Sequence, residues 1–260
     1  GAVYQNSDDA DLFLDQNKLT YIGGILEMSN NRLYRFWNDL EDALKTGKPQ
    51  NESKYGDKPL FEAIYSNEES LREFLHAMGG AQARKFDIFA RNLDFSEIKT
   101  QCDVGGAGGN LSVHIAKNNP HISSISYDLP QVTPIAGDNF QSLGLGDRIK
   151  AKSGDFFKEE LPKADLITMC NVLHDWGTED KKMLISKAYS ALPSEGALVI
   201  IENVIDDDRS QNAFGLMMSL NMLIETDHGY DFSSRILLDS STHFNLTVFF
   251  RNQYSSLFHG

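Results

Sequence analysis

The chain has 260 residues, 41% hydrophobic and 23% charged, with 24 Lys and Arg against 37 Asp and Glu and a formal net charge of −13. Such a chain can bury a substantial core and is ordinary for a globular protein. The acidic balance, without a cluster of Lys and Arg, speaks against a nucleic-acid partner, and the lack of any run of about 18 apolar residues speaks against a membrane span.

The first residues, Gly1-Ala2-Val3-Tyr4, do not read as a signal peptide. Cys102 and Cys170 lie in apolar, strand-like runs with no Cys-x-x-Cys pair. They read as reduced core residues rather than zinc ligands, and a cytoplasmic location is expected. No His-x-x-x-His or carboxylate cluster has metal-ligand spacing, so no metal is expected.

Up to residue 97 the pattern is helical. Leu33, Trp37, Leu40 and Leu44 recur on one helical face, and Gly47 and Pro49 follow as stop signals. Ser66 or Asn67 can cap a second long helix with Glu68 and Glu69 in its first turn. Leu71, Phe74, Leu75 and Met78 line its buried side; Gly79-Gly80 is expected to break or kink it before Phe86, Phe89 and Leu93 resume the stripe.

From residue 98 to 260 strand-like and helix-like runs alternate. The strands are expected over Thr100–Val104, Ile122–Tyr127, Ile149–Lys152, Asp165–Asn171 and Ala197–Val204. Helices are expected over Asn110–Lys117, Val132–Ser142 and Asp180–Leu192. The alternation implies an α/β, Rossmann-like domain, with a mostly parallel sheet covered by helices on both faces. Ligands of such sheets bind beyond the carboxyl ends of the strands. A glycine loop (Asp103-Val104-Gly105-Gly106-Ala107-Gly108-Gly109), Asp128, Asp155 and His174 all fall just after expected strands, so they should gather on one edge.

The loop does not match the Gly-x-Gly-x-x-Gly of dinucleotide sites in either register, which disfavours a nicotinamide-dependent dehydrogenase without removing it. Asp103, two residues before the first glycine, can instead face the ammonium of an amino-acid-like ligand. Asp128 is placed to accept bonds from ribose hydroxyls, or is simply a surface acid before Pro130. Asp155, in Gly-Asp-Phe-Phe, suits an adenine amine with Phe156 packing on the ring, or is a solvated acid beside a core aromatic. His174 is a candidate general base, or a packed histidine at a strand end. Glu202, among apolar neighbours, and Asp231 are candidate acids to hold one ring nitrogen; Asp175 reads as a helix-cap residue that points elsewhere. Leu216, Met217, Leu220, Leu223 and Ile224, flanked by Met218 and Met222, read equally as core or as the wall of an aromatic pocket.

From about Tyr4 to Ser233 these motifs resemble the S-adenosylmethionine-dependent O-methyltransferases that include caffeate, flavonoid, hydroxyindole and polyketide-tailoring enzymes. The resemblance rests on Asp-Val-Gly-Gly, Asp128-Leu129-Pro130, Gly154-Asp155-Phe156-Phe157 and Leu173-His174-Asp175-Trp176, in order. It implies that Gly105, Gly106 and Gly109 take the methionine part of the cofactor, Asp128 the ribose, and Leu129, Asp155 and Phe156 the adenine. His174 is then the base, Glu202 its orienting acid and Asp231 a second acid. A small aromatic hydroxyl substrate and a homodimer are implied as well. The chain departs from the family at Ala107, usually glycine, and at Cys170, where plant members often carry lysine. It also departs at its ends, where the N-terminal dimerising region is not recognisable and Arg235–Gly260 offers only one alternating stretch, Phe244, Leu246, Val248 and Phe250. Those ends keep a non-catalytic homologue that binds cofactor or a partner protein as an alternative.

Overall fold

A computed structural model describes residues 4–18, 20–55, 60–230, 232–233 and 246–250. Six parallel strands form the main sheet: β1 (Thr100–Val104), β2 (Ser123–Asp128), β3 (Ile149–Ser153), β4 (Leu166–Cys170), β5 (Ala197–Glu202) and, last in the chain, β8 (Leu246–Phe250). Their order is β3-β2-β1-β4-β5-β8, so the direction of strand addition reverses between β1 and β4. Cys102 of β1 lies opposite Ile125 of β2 on one side and Ile167 of β4 on the other. The described part of the expected last strand is therefore present and lies along β5, Leu198 opposite Leu246; Phe244 lies outside the described residues. Two short strands, β6 (Val204–Ile205) and β7 (Phe232–Ser233), pair separately.

The two sides of the sheet are apolar because alternate residues of each strand point to opposite faces. Leu166, Val199 and Ile201 pack toward Phe86, Phe89, Leu111 and Ile115. Ile167, Met169, Leu198 and Ile200 pack toward Leu184, Ile185 and Ala188. Fully burying each such side chain contributes roughly 1.5–3 kcal/mol. The covering helices are α6 (Glu68–Asn92) and α7 (Asn110–Asn118) on one face and α9 (Thr178–Ala191) on the other, with α8 (Thr133–Ser142) crossing between β2 and β3. The expected strands and helices of this region are all found, with ends displaced by no more than about two residues.

Preceding them are α1 (Asp8–Phe13), α2 (Gly23–Met28), a π-helical turn over Ser29–Leu33, α3 (Tyr34–Trp37), α4 (Leu40–Thr46) and α5 (Leu60–Ile64). Two expectations here are corrected. The buried stripe runs through Leu33, Phe36, Trp37, Leu40 and Ala43, whereas Leu44 is 63% exposed, because the helix is interrupted at Asn38 and Asp39 before α4 begins. Helix α6, capped by the Asn67 side chain, runs without a break through Gly79-Gly80. Those glycines serve close approach: a Cβ on Gly79 would stand 2.0 Å from Nδ2 of Asn110, and one on Gly80 2.5 Å from the Tyr21 carbonyl oxygen. Gly47, with φ +65°, ends α4 as expected.

The helical segment is bound to the sheet domain through α10 (Ala213–Glu225). Arg32 bridges Glu52 and Glu225, each at 2.8 Å. The Trp37 indole N–H donates to Asn221 Oδ1, Gln50 N–H to the Ile224 carbonyl, and Asn51 Nδ2 to the Glu225 carbonyl. Phe36 and Ala43 close around Ile224.

Candidate active site

The carboxyl ends of β1, β2, β4 and β5 bring the glycine loop, Asp128, His174 and Glu202 to one edge, around the point where strand order reverses. The loop is held from within the protein. Gly105 has φ +68° and Gly109 φ +76°; a Cβ at Gly105 would strike Val172 at 2.6 Å, at Gly106 Ser126 Oγ at 2.3 Å, and at Gly109 the Phe140 ring at 2.2 Å. Packing alone thus requires glycine at all three positions. Ala107 adopts φ +50°, an unfavourable conformation for a residue with a Cβ, and its N–H donates to Asp128 Oδ2 at 2.8 Å.

Asp128 accepts that bond and one from the Leu129 N–H at 2.7 Å, one on each carboxylate oxygen. Each oxygen keeps acceptor capacity for a further donor. The group is half-buried, and burial pushes its pKa up to about 6. Asp103 lies beneath the loop and is only 2% exposed. Thr168 Oγ1 donates to it at 2.7 Å and is itself bonded by Gln101 Nε2, while burial lifts the Asp103 pKa to about 7. Its burial leaves it without a surface to offer a ligand directly. Asp155 is engaged locally, by the Phe157 N–H at 2.9 Å and the Lys158 ammonium at 2.9 Å. Phe156 and Phe157 pack edge-on against Trp176, and Phe61 of α5 lies 5.9 Å from the same indole. Trp176 Nε1 and Asn171 Oδ1 are buried with no hydrogen-bond partner among the described residues.

His174 sits in a 3₁₀ turn over Leu173–Asp175 that follows β4. Its Nδ1 is 2.6 Å from Glu202 Oε2, and the other Glu202 oxygen accepts the Leu173 and His174 backbone N–H groups. This acid, buried at the end of β5, therefore fixes both the turn and the ring. Asp175 does not point away: its Oδ1 is 3.4 Å from His174 Nε2. The cap expectation fails because α9 starts only at Thr178 with Gly177 at its cap, leaving Asp175 within the turn. Burial alone would depress the histidine, but the two carboxylates outweigh it and raise its pKa to about 9. Asp175 is raised by burial to about 6 despite the opposing imidazolium.

The pocket beside the ring is lined by His174, Asn203, Met218 and Met222. Met218 and Met222 border this small cavity, Met222 being itself buried, whereas Leu216, Leu220, Leu223 and Ile224 are half-buried or buried and Met217 is 44% exposed. Asp231 lies outside the described residues; Gly229, two positions earlier, packs against the His174 carbonyl. No group of three or more His, Cys, Asp or Glu suits a metal ion among the described residues. Asn203 and the Asp175 contact carry no sequence pattern; each depends on a fold contact.

Comparison with known proteins gives one consistent result. A family model described as an O-methyltransferase domain matches residues 37–234. The tetracenomycin polyketide synthesis 8-O-methyl transferase TcmO of Streptomyces glaucescens is 35% identical over 231 residues, which cover 89% of this chain and 67% of TcmO. Acetylserotonin O-methyltransferase of Gallus gallus is 31% identical over 233 residues, covering 87% and 66%. The solved human N-acetylserotonin methyltransferase in complex with SAM superposes with a TM-score of 0.82 at 27% identity, covering 92% of this chain and 70% of that one. The structure of PigF with SAH does so with a TM-score of 0.84 at 28% identity, covering 91% and 72%. The chain spans about two thirds of the length of these curated relatives.

Proposed function

The chain belongs to the O-methyltransferase domain family, and on that premise we propose that it methylates a hydroxyl of a small aromatic acceptor with S-adenosylmethionine, His174 serving as general base. The observation that carries this reading is the Glu202–His174 pair, 2.6 Å apart, on the same sheet edge as the glycine loop and beside a methionine-walled pocket. Family membership leaves the nicotinamide alternative without support.

The residues present fit the cofactor. Asp128 retains acceptor capacity for the ribose, next to the glycine loop, and Asp103 lies buried beneath that loop. Gly105, Gly106, Gly109, Leu129, Asp155 and Phe156 complete the proposed cofactor site, and Asp231 is assigned the role of second acid. S-adenosylmethionine supplies, when bound, a methyl group made electrophilic by a sulfonium. His174 Nε2 takes the acceptor's hydroxyl proton, Glu202 holds Nδ1–H and stabilises the imidazolium, and the methionine wall holds the ring in line. The base must be neutral to act, whereas the two carboxylates favour the imidazolium in the free protein. A cation bound nearby opposes that second positive charge and returns the ring toward its basic form.

We assign residues 98–260 to the catalytic domain and 1–97 to a helical segment that helps to wall it. A homodimer through the N-terminal helices is part of the proposal, supported by Leu12, Leu14, Leu26 and Tyr34 standing exposed there. A cytoplasmic location is supported by two free cysteines; among the described residues, no helix is long and apolar enough to cross a membrane.

The test is methyl transfer from labelled S-adenosylmethionine to a panel of phenols. Transfer by the wild type, falling about 10²–10⁴-fold in His174→Ala, is the expected result. Cofactor binding with no transfer to any phenol would instead identify a non-catalytic homologue.

A further inference from the structure

Lys85 lies on α6, 118 positions before its partner, and its ammonium donates to Asn203 Oδ1 at 2.8 Å. An ammonium has three donors and no acceptor, so it can face only the oxygen end of an amide. The contact therefore fixes which way the Asn203 amide is turned. With Oδ1 held by Lys85, the Nδ2 donors occupy the other end of the planar group. Asn203 lines the pocket together with His174, Met218 and Met222. Its Nδ2 makes no hydrogen bond among the described residues, and it is not among the buried polar atoms sealed without a partner. A half-buried lysine is costly unless it serves a partner; burial pulls the Lys85 pKa below its ordinary value, offset in part by Cys170 and Glu202.

We infer that Asn203, turned by Lys85, presents an N–H donor to the acceptor beside the base, and that the preferred acceptors are phenols with a carbonyl oxygen ortho or peri to the methylated hydroxyl. This rests on the aromatic-hydroxyl reading proposed above. Asn203 directly follows Glu202, whose carboxylate holds the His174 ring. The base follows β4 and the donor follows its parallel neighbour β5, and both line one pocket, so the pair suits two oxygens on neighbouring positions of one ring. His174 takes the hydroxyl and Asn203 the adjoining carbonyl, which offers a lone pair and no proton. Lys85 touches neither oxygen; it is a positioning residue for the amide.

The experiment is calorimetric binding of ortho-acetylphenol and ortho-ethylphenol, which differ only by C=O for CH₂, to protein saturated with S-adenosylhomocysteine. Wild type should bind the acetyl compound more tightly by a factor of about 3–10, the worth of one neutral hydrogen bond. Asn203→Ala and Lys85→Met should both reduce that ratio to near one, and Lys85→Met should do so with affinity for ortho-ethylphenol and for S-adenosylhomocysteine unchanged. Lys85→Arg keeps a donor on Oδ1 and should restore the preference, which a purely structural lysine would not do. An unchanged ratio in Asn203→Ala overturns the inference. So does loss of affinity for both phenols in equal measure in Lys85→Met, since that marks a general packing role. If wild type binds S-adenosylhomocysteine but neither phenol, the aromatic-acceptor reading itself fails, an outcome distinct from both.

Discussion

Nδ1 of His174 and Oε2 of Glu202 stand 2.6 Å apart although 28 positions separate them in the chain. Two parallel neighbours, β4 and β5, end side by side and deliver the pair. Replacing Glu202 by Gln should keep the shape but remove the charge that stabilises the imidazolium. We expect His174→Ala to lower single-turnover methyl transfer more than Glu202→Gln does, with cofactor affinity preserved in both. Wild-type rates in His174→Ala near neutral pH would show that the acceptor reacts as a pre-formed phenolate.

The pH dependence follows from the sign of the histidine shift. Its pKa rises from 6.5 to about 9 in the folded chain. The stability contributed by the shift of His174 itself is therefore fully present below about pH 6.5 and lost as pH rises through about 9. For catalysis the dependence is opposite, since the base acts only when deprotonated. In single turnover, the rate should rise toward alkaline pH, and Asp175→Asn, which removes one of two anions from the ring, should move that rise to lower pH. A limb left in place by Asp175→Asn would mean that the 3.4 Å contact does not tune the base.

Charge at the cofactor should be felt at the same ring. S-adenosylmethionine carries a sulfonium that S-adenosylhomocysteine lacks. Near neutral pH, binding of the charged form should release more protons than binding of the neutral one, because a second cation beside His174 disfavours the imidazolium. Titration calorimetry in buffers of differing ionisation enthalpy measures the difference, and His174→Ala should abolish most of it.

Asp128→Ala tests the ribose site. Losing a hydrogen-bonding carboxylate should weaken S-adenosylhomocysteine binding by about 1.5–3 kcal/mol. The same change also frees the Ala107 and Leu129 N–H groups, so Asp128→Asn, which can still accept one of those bonds, should be the milder variant. Equal affinity in wild type and Asp128→Ala would remove the residue from the site.

Within α6 two opposing effects can be weighed. Gly80→Ala gains about 1 kcal/mol of helix propensity. Its new Cβ would meet the Tyr21 carbonyl oxygen at 2.5 Å, a backbone atom with little freedom to move. Overpacking of this kind costs about 1–3 kcal/mol, so urea denaturation should show a net loss of up to about 2 kcal/mol. A stabilised variant would show that the backbone at Tyr21, just before α2, can shift away.

The parallel sheet was legible in the chain because its signals are local: apolar runs of strand length, each followed by a turn and a helix. The acids and the histidine could be placed on one edge for the same reason, since their positions depend only on where strands end. Asp175 was misread because adjacent residues in a 3₁₀ turn can approach the same ring, which spacing does not reveal. Gly79-Gly80 was misread because a glycine that breaks a helix and a glycine that admits a neighbour look alike until the neighbour is known. Lys85 and Asn203 carried no local signal; their meeting needs α6 to lie across the sheet.

Helix α10 is held on one side by Arg32, Trp37, Gln50 and Asn51 and presents Met218 and Met222 on the other. The wall proposed for the acceptor is thus moulded by residues that do not line that pocket and that lie 174 to 193 positions earlier in the chain. Anyone grafting a new specificity onto this scaffold inherits that dependence: α10 exchanged alone would arrive without its mould. The transplantable unit is α10 together with the turns that grip it, and recombination between relatives should succeed where crossovers leave those two pieces from the same parent.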